Sequence, residues 1–311
     1  MAPSGSDGSD IKRRRTCQPS FWDGAVDWVR SRGGFIHPAL HFQPGNRELL
    51  ITTSISQGTT LMRIPSDCLI TLSTIESSNF GKYLFYIVNE LDDSEIYNEK
   101  NDLLLAIFLS IVMSESDNSD ETLKGVHLYL KTLPSEESYD GLPRRWTNEE
   151  IDRLLIGTSA YERTIQDKKG LEKDYNALKI SFAENRQSSH IENIKFPEYD
   201  CFDQMIAAIS SRAFGGLGTV GDQVVDAMIP LLDLMNHKRG TKEKSDISYT
   251  RLEDGTIEVK AKSGLDKNQC PGITYGAKGN SQLLTRYGFC LRDNIEPDGK
   301  NILILSFFQG F

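Results

Sequence analysis

Along the first part of the chain the apolar positions change their period twice. From Phe21 they recur at helical spacing: Trp22, Ala25, Val26 and Val29 fall near one face, and Gly33-Gly34 ends the run, so a short helix is predicted there. Residues 33–73 read differently. GGFIHPAL, ELLITTSI, TTLMRIP and CLITL are short, rich in β-formers and broken by Gly and Pro, with Gln57-Gly58 as a turn; small antiparallel strands are predicted. In the middle, Asn101-Asp102 is placed to cap a helix from Leu103, and residues 103–113 are apolar all round except at Ser110, the pattern of a helix buried on every side. Residues 114–120 read as a polar loop, and GVHLYLKTLPSEESYDGLPRRW, punctuated by Pro134 and Pro143, as irregular chain. Thr147 to Glu150 has the form of a capping box, and helices are predicted over 159–185 and 199–214. Alternation then returns at 247–252 and 256–262 around Asp254-Gly255, the spacing of a hairpin. GITYG reads as a short strand leading into GNSQLLTRYGF.

A β-rich start, a helical interior over about 85–214 and a β-rich end predict an α+β fold, one domain of small antiparallel sheets interrupted by a mostly helical insertion. Composition adds limits. The chain has 311 residues, 38% hydrophobic and 25% charged, ordinary values for a soluble globular protein. Its longest apolar run is too short to span a bilayer, and MAPSGSDGSD lacks the apolar core of a signal peptide. Residues 1–18 read as a disordered arm; its Lys12-Arg13-Arg14-Arg15 has the composition of a nuclear address but is short for one. A net charge of −9 argues against a general nucleic-acid binder. The five cysteines are scattered, form no CxxC pair and stand at no zinc spacing from a histidine, so no metal is expected and reduced thiols point to an intracellular compartment, cytoplasm or nucleus.

The candidate chemistry lies in the last third. Arg212 ends a mostly apolar helix, where a cation also complements the helix dipole. Asp233, Asn236 and His237 close the apolar run PLLDLMNH, where a polar turn would serve equally well. Tyr275 stands before Gly276, and Tyr287 before Gly288-Phe289. Each has a structural explanation when taken singly. Their order does not: SRAF, PLLDLMNH, ITYG and GNSQLLTRYGF, in that sequence over residues 211–289, resemble the SET-domain protein methyltransferases. The likeness is greatest to the Rubisco large-subunit methyltransferase branch, whose SET domain is split by a helical insertion. LYLKTLP and LPRRWTNEEIDRLLIGT resemble that insertion, and the resemblance spans roughly residues 20–292. It implies an N-terminal SET part over 20–84, a helical insertion over 85–210 and a C-terminal SET part over 211–292.

The resemblance also implies chemistry. The cofactor would be S-adenosyl-L-methionine and the partner a protein substrate offering a lysine side chain. Arg212 and Asp233 match positions that line or brace the cofactor pocket, where a guanidinium suits the methionyl carboxylate. Asn236 and His237 match the Asn-His pair that holds the cofactor's ends, His237 as scaffold and not as a base. Asn46 and Arg47 match the N-terminal cofactor loop. Tyr275 matches the catalytic tyrosine and Tyr287 a second tyrosine of the lysine channel. Methyl transfer in line from a sulfonium needs alignment, desolvation and oxygen acceptors for the polarised methyl.

The chain departs from the family in several places. Glu48 stands where a second glycine is common in the cofactor loop, and Lys267 to Gly272 replaces an acidic pair, which is expected to loosen the strand that aims Tyr275. No cysteine cluster follows Cys290, which favours a non-histone substrate. The sequence stops at Phe311, so the family's C-terminal docking domain is expected to be absent or truncated and residues 293–311 to form an apolar tail. These departures keep two alternatives open: protein-histidine methylation, and a catalytically weak SET-like module that binds a protein partner.

Overall fold

The computed structural model describes residues 21–43, 48–114, 120–185, 194–220, 223–239 and 244–294. The expected arm over 1–18, the cofactor loop with Asn46 and Arg47, most of the polar loop after Ser114 and the tail beyond Asn294 lie outside the described residues. Helix α1, Phe21–Ser31, buries Trp22, Ala25 and Val29. It stops at Gly33, whose φ of +83° few side-chain-bearing residues adopt.

One four-stranded antiparallel sheet joins the two ends of the chain. Its order is β1 (Phe35–Ile36), β4 (Thr60–Ile64), β8 (Ile257–Ala261), β7 (Ile247–Arg251). Met62 pairs with Val259 and Ile64 with Ile257, and all four side chains are buried. The alternation of β8 turns Glu258 and Lys260 together to the opposite face, where the carboxylate meets Arg63 at 2.9 Å and Lys260 at 2.7 Å. The hairpin predicted around Asp254-Gly255 is the β7–β8 pair, with Gly255 at φ +82°. Strands β2 (Leu40–Gln43) and β3 (Glu48–Ile51) form a second, two-stranded sheet.

Eight helices follow α1 among the described residues: α2 (Leu72–Ser77), α3 (Gly81–Asn89), α4 (Lys100–Ser114), α5 (Glu121–Leu130), α6 (Asn148–Leu155), α7 (Ser159–Glu184), α8 (Tyr199–Arg212) and α9 (Asn280–Tyr287). As its all-round apolar pattern predicts, α4 is buried at every position from Leu103 to Val112, each large side chain contributing roughly 1.5–3 kcal/mol. Its one polar member, Ser110, satisfies its hydroxyl on the Ala106 carbonyl at 2.7 Å. The capping box forms as predicted: Glu150 N–H donates to Thr147 Oγ1, and Thr147 N–H to Glu150 Oε2.

Several elements differ from the sequence reading. Helix α4 starts at Lys100, so Asn101 and Asp102 lie in its first turn and do not cap it. GVHLYL is not irregular but belongs to α5. Its Gly125 has a packing reason, since a Cβ there would lie 2.2 Å from the Trp28 indole. CLITL is a short 3-10 turn and a single bridge, Ile70 to Met228, after which Thr71 caps α2. Helix α8 ends at Arg212, because Phe214 already opens β5 (Phe214–Val220), which pairs with β6 (Gln223–Ala227). ITYG forms one parallel bridge, Ile273 to His237, instead of a strand.

Candidate active site

Arg212 is the last residue of α8, so its side chain leaves a rigid element. Its Nη1 donates to the Asp233 carbonyl at 2.9 Å and to Asp233 Oδ2 at 3.4 Å. The Asp233 side chain is 0% exposed. A charge so buried persists only when it is paired and hydrogen-bonded, and a second donor is supplied from the helical block: Tyr129 Oη donates to Asp233 Oδ2 at 3.0 Å. Burial works against the Arg212 charge, yet Tyr139, Asp233, Tyr129 and Tyr275 together hold the guanidinium above its ordinary range. Burial and Asp233 hold the Tyr129 phenol well above its own, so it stays a donor. Arg212 Nε is buried and has no hydrogen-bond partner among the described residues.

Asp233 sits in a 3-10 turn, Leu232–Leu234, that is entered through Leu231 at φ +69°, ψ −31°. A non-glycine residue in that region costs on the order of 1–3 kcal/mol, here offset by burial of the whole run from Leu231 to Met235.

Beyond this turn the chain is pinned to the segment that carries Tyr275. Ile273 N–H donates to the Asn236 carbonyl at 3.1 Å and Lys238 N–H to the Ile273 carbonyl at 2.7 Å. In such a parallel bridge the intervening His237 directs its own backbone N–H and C=O to the opposite side. Asn236 is exposed and His237 partly buried. His237 Nδ1 accepts from Tyr275 N–H at 3.1 Å, and Tyr275 Oη donates to the Met235 carbonyl at 3.0 Å. Burial, with Arg239 and Lys278 nearby, holds the imidazole below its ordinary pKa. His237 is therefore neutral at pH 7, with Nδ1 as acceptor, and it acts as a scaffold for Tyr275.

Tyr287, the last residue of α9, stacks on Tyr275 with ring centres 4.9 Å apart and planes 19° from parallel. Phe289 closes the aromatic group at 6.2 Å from Tyr287 and 6.1 Å from His237. Burial pushes the Tyr275 phenol up to about 12, with Arg212 opposing and Asp233 and Tyr287 adding to the rise. Burial also raises Tyr287. Both are neutral phenols at physiological pH, able to orient and to accept weak hydrogen bonds but not to act as bases.

Tyr275 is aimed from a single bridge and not from the expected strand, yet the segment before it is tied to Asp246. Gly272 N–H donates to Asp246 Oδ2 at 2.9 Å, and Asp246 N–H returns a bond to the Gly272 carbonyl at 3.0 Å. Two of the departures from the family pattern also meet: the Cys270 thiol lies 3.6 Å from Glu48 Oε2.

Of the eight residues singled out from the sequence, Arg212, Asp233, Asn236, His237, Tyr275 and Tyr287 belong to one connected set; Asn46 and Arg47 lie outside the described residues. Four participants were not singled out. Tyr129 sits in chain read as irregular, Met235 contributes only a carbonyl, and Asp246 acts from 26 residues before its partner. Phe289 was visible inside YGF but carried no polar atom to draw attention. A cavity of about 570 Å³ borders α8 and α9, lined by Ser210, Ala213, Lys278 and Arg286 and, from far earlier in the sequence, by Tyr97 and Asp102; none of the six residues of the set lines it.

No family model matches the chain. Among curated proteins, the ribosomal lysine N-methyltransferase set11 of Schizosaccharomyces pombe is 24% identical over 278 residues, which cover 88% of this chain and 62% of that protein. The actin-histidine N-methyltransferase of Danio rerio is 26% identical over 166 residues, 53% of this chain and 26% of that protein. The chain thus spans less than two thirds of the length of these relatives. Among solved structures, the SET domain of LSMT bound to MeLysine and AdoHcy superimposes with a TM-score of 0.68 at 19% identity, covering 89% of this chain and 58% of that one. The small antiparallel sheets and the helical interruption agree with that likeness: the chain has the SET fold, interrupted by helices.

Proposed function

We propose that the chain is an S-adenosyl-L-methionine-dependent protein-lysine N-methyltransferase acting on a non-histone protein, with the SET parts at 20–84 and 211–292 and the insertion at 85–210. The observation that carries this reading is the Tyr275 phenol, anchored on the Met235 carbonyl and stacked on Tyr287 beside the buried Arg212–Asp233 pair. When bound, the cofactor supplies an electrophilic methyl group on a sulfonium. The residues present fit it: the unpartnered Nε of Arg212 is a buried cationic donor of the kind a carboxylate satisfies. The backbone of His237 and the exposed Asn236 amide offer further polar groups, and Asn46 and Arg47 would extend the same pocket.

The chain's own work is alignment. Tyr275 is fixed at both ends, its amide by His237 and its hydroxyl by Met235, and Tyr287 lies flat against it, so an amine entering between aromatic walls and carbonyls is held in line. No residue is needed as base, because the amine enters neutral after losing its proton to solvent and phenols of raised pKa do not compete for it. The cavity that borders α8 and α9, the helices ending in Arg212 and Tyr287, is the proposed place for a polypeptide substrate to lie.

No helix among the described residues is long and apolar enough to cross a membrane, and no group of three metal-ligating side chains occurs among them. A second reading, protein-histidine methylation, is favoured by the similarity to the actin-histidine N-methyltransferase. Methyl transfer to peptide arrays with mass-spectrometric mapping of the modified residue separates the two. Tyr275→Phe is expected to lower the transfer rate by about 10²–10³-fold, the loss seen when one preorganised transition-state contact is removed, with cofactor affinity unchanged within about twofold. Loss of both together would mean that Tyr275 holds the cofactor and not the reacting methyl group. No calorimetric heat with millimolar cofactor would leave the chain a protein-binding module.

A further inference from the structure

Tyr129 lies in the LYLKTLP stretch of the insertion, outside the ordered motifs of residues 211–289. It sits near the end of α5, in the helical block, and is fully buried. A buried tyrosine needs one acceptor for its hydroxyl, and backbone carbonyls are the commonest; Tyr175, for example, uses the Pro197 carbonyl at 3.0 Å. Tyr129 instead donates to Asp233 Oδ2, the same oxygen that Arg212 Nη1 approaches at 3.4 Å. The firmer Arg212 bond, 2.9 Å, goes to the Asp233 backbone. The Tyr129 hydroxyl thus competes with the guanidinium for one carboxylate oxygen and limits how far Arg212 turns toward it.

We infer that Tyr129 is a positioning residue: through Asp233 it sets the orientation of the Arg212 guanidinium, so that a helix of the insertion helps to form the cofactor pocket. The inference rests on the proposed function above. Helix α5 is poorly able to shift and replace the lost contact. Gly125, one turn earlier, leaves no room against the Trp28 indole of α1, and the Thr132 hydroxyl closes on the Tyr129 carbonyl at 2.6 Å. Without the hydroxyl, Arg212 loses a competitor for Oδ2, the guanidinium rotates toward it, and Nε leaves the position in which it serves the cofactor carboxylate.

The test is Tyr129→Phe in the full chain, which removes one oxygen and keeps the ring. Cofactor dissociation, read by calorimetry, is expected to rise about tenfold, the binding ratio equivalent to part of one charge-assisted hydrogen bond, while peptide KM stays within about twofold. In an Asp233→Asn background the same substitution should add less than about twofold, since the shared carboxylate is already gone. Equal weakening in both backgrounds, or unchanged cofactor affinity with a lowered Tm, would overturn the inference and make Tyr129 a packing residue. If Tyr129→Phe does not fold, hydrogen exchange of the unsubstituted chain decides: bound cofactor should slow exchange in α5, and unaltered α5 exchange would reject the coupling. Failure of the unsubstituted chain to bind cofactor removes the proposed function itself, whereas binding that persists unaltered in Tyr129→Phe removes only this inference.

Discussion

Helix α8 carries a buried arginine–aspartate cluster toward each end, and the two are built differently. Toward its start, Asp203 receives Arg144 Nε on one oxygen at 2.9 Å and Arg145 Nε on the other at 2.5 Å. The remaining guanidinium groups reach the carbonyls of Asp203 and Glu136 at 3.3 and 3.0 Å. That cluster is closed: two cations share one carboxylate, and their forks find carbonyls. At the other end Arg212 uses one nitrogen, Nη1, and its buried Nε has no partner among the described residues. The first cluster ties the turn before α6 to α8, each guanidinium bonded through two of its nitrogens. The second keeps a desolvated cationic donor in reserve, the kind of group that a bound carboxylate would complete. A buried ion pair alone therefore says little about function; which of its donors remain unsatisfied says more.

The contrast can be broken from either side. Asp203→Asn leaves two mostly buried guanidinium groups without their counter-charge, and a loss of about 3–5 kcal/mol of stability is expected, read as a large drop in denaturation midpoint with cofactor affinity of the folded protein intact. A drop below 1 kcal/mol would mean that the closed cluster is solvated in solution. Arg212→Lys keeps a charge near Asp233 but loses the fork. Here the expected order reverses: stability within about 1 kcal/mol of the parent, and cofactor affinity weakened on the order of 30–100-fold by isothermal titration, as for a lost charge-assisted pair.

The smallest effect concerns His237. Its folded pKa lies below the ordinary value because burial and nearby cations disfavour the imidazolium. The unfolded chain therefore binds the proton more readily, and the contribution is fully present above about pH 6.5 and lost as pH falls through the lower folded value. Replacing His237 with Gln should flatten the acid side of the Tm–pH curve by no more than a few degrees. Parallel curves for the two proteins would show that His237 does not accept the Tyr275 amide as a neutral ring.

Much of this was legible in the sequence where the signal is local. The all-round apolar run of α4, the Thr147–Glu150 box and the Asp254-Gly255 hairpin each declare themselves within a dozen residues, and the ordered tetrad from SRAF to YGF placed Arg212, Asp233, His237, Tyr275 and Tyr287 in one site. What escaped depends on distant or unusual partners. The Tyr129–Asp233 bond spans 104 residues, and neither end shows that the other is near. Gly125 reads as a helix breaker until the Trp28 indole is seen to fill the space beside it. Strand β5 is glycine-rich, with Gly216 at φ +73° and Gly218 against Thr71, so its propensity argues against the strand that tertiary pairing imposes. The strain at Leu231 has no sequence marker, since leucine is a poor choice for positive φ and is kept there by burial.

The most direct measurement is a pair of titrations of the unsubstituted chain, one with S-adenosyl-L-methionine and one with its decarboxylated form. If the open guanidinium of Arg212 receives the methionyl carboxylate, the intact cofactor should bind on the order of 30–100-fold more tightly, and Arg212→Lys should remove most of that preference. Equal affinity for the two forms, or a preference that survives the substitution, would contradict the assignment of Arg212 and with it the reading of the unsatisfied donor as a cofactor site.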